Sequence, residues 1–229
     1  MKIADKVEDF CDFAGHMLPR RMVEVALSGK HNFGIVGERE CGKSLIIDLT
    51  QRLAKEIHDC DIRSFDLDSN KKKSGRPLPP PRGWFCVEMS PCECGHYGSP
   101  ERPCVCNPEG IIRWRNSILP AWSRNVELWI EMTRVSFRQF GECATRDSSA
   151  DIADRVKLVY PRIEGVDTEL KGEASRLLGL ATERYALSAR SVRDCVYTAR
   201  TIAAMEQDTA IRPPHIAEAL QYRVRIPNG

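Results

Sequence analysis

Phe33-Gly34-Ile35-Val36-Gly37-Glu38-Arg39-Glu40-Cys41-Gly42-Lys43-Ser44 carries the strongest structural signal in the chain. Phe33 to Val36 is a brief apolar run suited to a buried parallel strand. Gly37 to Ser44 then fits G-x-x-x-x-G-K-[ST]. Leu45, Leu49, Leu53 and Ile57 recur every four residues, which predicts an amphipathic helix directly after the turn. A strand, a glycine turn and a helix in that order make one phosphate-binding unit.

The chemistry needs those residue types at that spacing. Two glycines let the backbone curl so that successive N–H groups point at phosphate oxygens. The helix N-terminus adds partial positive charge. Lys43 can reach the β- and γ-phosphates and the Ser44 hydroxyl can ligate magnesium. Gly37, Glu38, Arg39, Glu40, Cys41, Gly42, Lys43 and Ser44 are thus the expected binding residues, with ATP and Mg2+ as ligands. Average glycine usage would produce the pattern by chance in roughly one chain in a hundred of this length. Glu38 and Glu40 are discordant, since carboxylates facing a polyphosphate would repel it, with Arg39 offsetting part of that.

Working outward, the 229 residues are 42% hydrophobic, 29% charged and 7% aromatic, which excludes disordered, collagenous and coiled-coil classes. No apolar run approaches a membrane span, and the N-terminus shows no apolar export segment, so a cytoplasmic location is expected. The net charge of +2 argues for no particular partner.

Ten cysteines are many for a chain expected in a reducing compartment, where clustered thiols read as metal ligands before disulfides. Pro91-Cys92-Glu93-Cys94 returns as Pro103-Cys104-Val105-Cys106. Four thiolates suit tetrahedral zinc, making Cys92, Cys94, Cys104 and Cys106 the expected metal ligands and His96 a substitute. The C-x-C spacing is tighter than the usual C-x₂₋₄-C, and reduced free thiols are the alternative.

Hydrolysis needs more: an acidic residue ending a second apolar strand, to help hold magnesium and polarise water. The acids weighed for this role are Asp66 and Asp68. They follow Ile62-Arg63-Ser64-Phe65, which is too polar for a central parallel strand. Three lysines, 71–73, and the run Pro77-Leu78-Pro79-Pro80-Pro81 then read as an exposed linker. Trp84 to Val87 and Val126 to Met132 resume strand character. Beyond residue 148 the pattern is helical over 149–159, 172–185, 188–205 and 214–222.

Several segments resemble the magnesium-chelatase subunit I and ComM-like branch of AAA+ ATPases. Asp12-Phe13-Ala14-Gly15-His16 is similar to the segment ahead of that family's first helix, and Gly29 to Gly37 to its strand leading into Walker A. Met89-Ser90-Pro91-Cys92-Glu93-Cys94-Gly95-His96-Tyr97-Gly98 resembles a ComM-type segment. Leu187 to Arg190, Ala199 to Ala203 and Glu218 to Arg223 resemble the helical C-terminal domain. The resemblance implies an α/β P-loop fold of AAA+ type followed by a small all-α lid, a ring (hexameric in the usual case) or partner AAA+ subunits, and ATP at subunit boundaries. Arg190 matches the lid arginine that contacts the γ-phosphate. Arg124 falls where relatives carry an arginine finger. Nucleic acid as a partner rests on family analogy alone.

Departures matter equally. Ser90 stands where the family has a sensor asparagine, and the interval after the P-loop helix is too short for a further βα unit of roughly thirty residues. A reduced member without a clear Walker B segment is expected, its parallel sheet having fewer strands than usual. The expected division is an α/β domain over 1–135 with a Cys-rich loop at 90–107, a linker at 136–147, and helices over 148–229. Three functions remain open: nucleotide binding that orders a lid, ring or partner interface with little turnover; an active ATPase drawing on Asp66, Asp68 or a neighbouring subunit; and a zinc-stabilised interaction module with a vestigial P-loop.

Overall fold

The computed structural model describes residues 8–13, 15–69, 80–135 and 147–223. Four strands, β1 (Phe33–Gly37), β2 (Arg63–Asp66), β3 (Phe85–Met89) and β4 (Leu128–Met132), form one sheet in the order β2-β3-β1-β4, every neighbouring pair parallel. Helices α1 (Met17–Gly29), α2 (Lys43–His58) and α3 (Pro108–Trp122) belong to this α/β part. After it come α4 (Ser149–Val159), a 3₁₀ turn (Tyr160–Gly165), α5 (Gly172–Tyr185), α6 (Ala189–Met205) and α7 (Pro213–Gln221).

A parallel sheet covered on both faces needs apolar residues on both sides of each strand. Leu128, Ile130 and Met132 of β4 join Phe33 and Ile35 of β1 in the core beneath α1 and α2. Trp129 joins Val36, Phe85, Val87 and Met89 on the other face, where α3 closes the layer with Trp114, Ile118, Leu119 and Trp122. Gly34 makes that face possible: a Cβ there would lie 2.4 Å from Cε3 of Trp129. The polar strand β2 occupies a sheet edge, with Arg63, Ser64 and Asp66 exposed.

The α3 helix was not anticipated. Asn107 caps it by accepting from the Gly110 N–H, with Pro108 at its first position and Glu109 in its first turn. Pro120 interrupts the helical pattern near the other end.

The C-terminal helices share a core with the α/β part. Ile152, Ala153 and Val156 of α4, Cys195, Ala199 and Ile202 of α6 and Ile216 of α7 belong to the same buried cluster as Met22 and Val23 of α1. Arg21 of α1 holds Glu218 of α7 through two bonds, 2.8 and 3.2 Å. Beyond α7 the Tyr222 carbonyl accepts from Trp129 N–H at 2.7 Å and Arg223 donates to the Glu127 carbonyl, sealing the free edge of β4. Of the expected linker at 136–147, only Asp147 lies within the described residues. Among the described residues, no helix is long and apolar enough to cross a membrane.

Candidate nucleotide and metal sites

β1 brings the chain to Gly37 at the carboxyl edge of the sheet, and α2 starts at Lys43, so residues 37–44 turn over the positive end of α2. Gly42 takes φ 96° at the helix cap, a left-handed conformation that favours glycine. A Cβ at Gly37 would lie 2.6 Å from the Met132 carbonyl oxygen. The Lys43 ammonium donates to the carbonyls of Gly37 and Glu38, 2.8 Å each, and so braces the loop from inside.

Neither loop carboxylate is directed at a phosphate position. Glu38 is buried and accepts from the Arg134 N–H at 2.8 Å. Glu40, at φ 63°, pairs with the Arg134 guanidinium at 2.5 Å. The repulsion anticipated from these two acids is thus drained into one arginine beyond β4.

The acid nearest the loop is one the sequence reading passed over. Glu88 sits in β3 beside β1, and alternation along the strand sends its side chain to the α2 face. Ser44 Oγ donates to it, 3.0 Å from either carboxylate oxygen. Burial raises the pKa of Glu88; the Ser44 hydrogen bond and the Lys43 charge pull it back, and Asp66 and Asp68 push it up. A hydroxyl and a carboxylate in contact at the start of a helix are a donor set for a hard divalent cation, so the residues present fit magnesium. The sequence trace of this acid is slight: Phe85-Cys86-Val87 is apolar and Glu88 follows it directly, but only the pairing of β3 with β1 sets it against Ser44.

Asp66 and Asp68 are occupied otherwise. The Asp66 carboxylate accepts from the N–H groups of Asp68 and Ser69, 2.9 and 3.2 Å, and from the Ser69 hydroxyl. Asp68 accepts from Ser90 N–H at 3.0 and 3.1 Å. Asp66 thus caps the turn after β2, and Asp68 ties that turn to the chain leaving β3.

Arg190 and Arg124 are brought together, away from the phosphate loop. Arg190 donates to the Asn125 side chain at 3.4 Å, just before β4 begins, whereas Gly37 pairs with Met132 at the other end of β4. Four strand residues put about 13 Å between those ends. Within one chain Arg190 therefore lies far from residues 37–44. Arg124, Arg184 and Arg190 instead line a groove of about 820 Å³ floored by Trp129 and Leu177. None of the three has a carboxylate at salt-bridge distance among the described residues. Nearby, burial drives the Glu127 carboxyl up to about 7 despite N–H donors at Asn32 and Glu127 itself.

The four cysteines of the repeat converge. Cys92 Sγ lies 3.4 Å from Cys94 and 3.7 Å from Cys104, Cys94 lies 3.6 Å from Cys104, and all four ligand atoms including Cys106 fall within 4.8 Å of one another. Zinc–sulfur bonds of about 2.3 Å place tetrahedral sulfurs about 3.8 Å apart, so the set fits zinc. Burial works against the Cys94 thiolate, but N–H donors at His96 and Val105 and neighbouring thiols bring its pKa down to about 6. His96 contributes that backbone donor, and its ring is not in the cluster. A second grouping, Glu206, Asp208 and His215, is structural: His215 Nδ1 accepts from Arg212 N–H, leaving Nε2 to donate to Glu206 at 3.0 Å between α6 and α7.

Residues 159–223 match the family described as magnesium chelatase, subunit ChlI C-terminal. Competence protein ComM of Haemophilus influenzae is 26% identical over 164 residues, covering 64% of this chain and 32% of that protein. The chain thus spans about a third of the length of the curated relative it matches. The crystal structure of a candidate ATPase from Cytophaga hutchinsonii aligns with a TM-score of 0.48 at 10% identity, covering 93% of this chain and 82% of that one. Over its helical region and the aligned segments, the chain is thus similar to the C-terminal part of magnesium-chelatase subunit I and to ComM.

Proposed function

We propose that this protein binds Mg2+ and ATP on residues 37–44 and uses the bound nucleotide to order an interface with neighbouring copies or partner AAA+ subunits, with little turnover in the single chain. The observation that carries the reading is the contact between Ser44 Oγ and Glu88, 3.0 Å, at the start of α2. Magnesium, when bound, would supply positive charge that neutralises the phosphates. Ser44 and Glu88 would hold it. Lys43 would exchange its two loop carbonyls for phosphate oxygens, and the amides of residues 37–44 would cradle the rest.

Slow turnover follows from what surrounds Glu88. Asp66 and Asp68 already accept from backbone N–H groups, which supports a reading in which neither activates water. Arg124 and Arg190 lie at the far end of the sheet, so they would act on a nucleotide held by another copy. This supports a ring or stack in which one chain's groove meets the next chain's phosphate loop. An active ATPase in the assembly is the second reading, and the raised basicity of Glu88 favours it. The four-thiol loop is assigned zinc as a structural ion. A role on nucleic acid would rest on the ComM likeness alone; Lys71, Lys72 and Lys73 lie outside the described residues.

The test is magnesium-dependent ATP binding and turnover, measured on wild type and Lys43→Ala over a range of protein concentrations. Binding lost in the variant, with turnover near background at low concentration, supports the proposal. Equal binding by both proteins would end it.

A further inference from the structure

The four-thiol loop and the phosphate loop are joined by side chains that nucleotide binding itself does not require. Arg134 follows β4 and reaches both: its guanidinium pairs with Glu40 of the phosphate loop at 2.5 Å and with Glu101 of the cysteine loop at 2.9 Å. Its own N–H donates to the Glu38 carboxylate. Arg39, between those two glutamates, lies along Gly95, where an added Cβ would meet Arg39 Nε at 2.9 Å. Gly95 also needs its φ of 84°, and it directly follows Cys94. Tyr97 and Gly98 share a cleft of about 80 Å³ with Gly37 and Glu38. Residues 38, 39 and 40 are each held by Arg134 or by the cysteine loop.

Ion pairs as exposed as Arg134–Glu40 and Arg134–Glu101 add little stability individually. Their effect is geometric, and it depends on Glu101 and Gly95 staying in place. The loop from Cys92 to Cys106 has little core of its own: Cys92 is buried, but Val105 is 83% exposed and Tyr97 is 47% exposed. A segment of that kind takes its shape from a bound ion. We infer that zinc on Cys92, Cys94, Cys104 and Cys106 positions the phosphate loop, with Arg134 as the strut between the two. The inference rests on the nucleotide and zinc readings above and adds a coupling between them. Arg134 is a positioning residue.

The experiment uses the full chain, zinc-loaded or stripped with a chelator, with zinc content measured directly, for wild type, Arg134→Ala, Arg134→Lys and Glu101→Ala. Amide hydrogen exchange of residues 37–44 is read without nucleotide, and magnesium–ATP affinity is read separately. In wild type, stripping should speed exchange at 37–44 and weaken ATP by about tenfold, the scale of a coupled pair. Arg134→Ala with zinc bound should already show both changes, stripping should then add less than about twofold, and Arg134→Lys should recover part of the loss. If stripping unfolds the chain, Glu101→Ala decides the matter, since it removes the acceptor for Arg134 with every thiol intact and should speed the same amides. Absence of zinc from the purified protein, equal stripping effects in wild type and Arg134→Ala, or unchanged exchange in zinc-loaded Glu101→Ala would each overturn the coupling. Failure to bind ATP would sink the nucleotide reading alone, because exchange still reports the strut.

Discussion

Ser44 and Glu88 are 44 positions apart in the chain and touch at the phosphate loop, the hydroxyl lying 3.0 Å from both carboxylate oxygens. The contact exists because β3 pairs directly with β1, with Ile35 opposite Glu88. A strand inserted between them would move that side chain away by nearly 5 Å.

Glu88→Gln should weaken magnesium–ATP about tenfold or more, the usual scale for damage to a metal's ligand sphere, while leaving magnesium-free nucleotide binding nearly unchanged. A pH dependence accompanies this. The carboxyl's pKa is raised, and a magnesium ligand must be ionised, so wild-type affinity should fall as pH drops through that raised value. The glutamine variant should lose that portion of the slope. Titrations with labelled ATP at several pH values check both points.

Gly34→Ala should destabilise the protein by about 1–3 kcal/mol, as overpacking of a filled interior does. The added methyl would lie 2.4 Å from Cε3 and 2.5 Å from Cζ3 of Trp129, a ring that is 3% exposed and packed between β1 and α3. Urea unfolding followed by tryptophan fluorescence would measure it. Partial recovery in Gly34→Ala combined with Trp129→Phe would identify the ring as the cause.

Much of this arrangement was legible because it is local. Phe33 to Ser44 and Leu45 to Ile57 state a strand, a turn and a helix through spacing alone, and the helices after residue 148 announce themselves by period. What depended on sheet order was not legible. Glu88 is one more residue of an apolar strand until alternation and pairing place it over Ser44. Arg190 was readable as the start of a helix, yet nothing in its neighbours says which end of the sheet that helix faces. The helix from Pro108 to Trp122 carried an adequate cap signal, but Pro120 near its end argued against it. Glu38 and Glu40 looked repulsive because Arg134, their common partner, is almost a hundred residues away.

The four-thiol cluster predicts one zinc per chain and a melting temperature that falls on chelation. Cys104→Ser should lower zinc content and melting temperature together, since Cys104 lies within 3.7 Å of both Cys92 and Cys94. Cys60→Ser is the control: that thiol is exposed and outside the cluster, so neither quantity should change. Elemental analysis and thermal melts with and without chelator give the answer.

Glu127 makes stability depend on pH in the direction opposite to an ordinary paired carboxylate. Burial lifts its pKa from an ordinary 4.5 to about 7 while its carboxylate accepts from Asn32 N–H at 2.8 Å. The folded state then binds this proton more tightly than the unfolded chain does. Its contribution is complete below about pH 4.5 and is lost as pH rises through about 7. Wild-type stability should therefore decline between pH 5 and pH 8 by a share that Glu127→Gln abolishes, because the amide keeps an acceptor for Asn32 and has no proton to lose. The variant should consequently gain on wild type as pH rises, in denaturant melts across that range. A gap that stays constant with pH would mean that Arg190, whose charge favours the ionised form, already holds Glu127 ionised throughout.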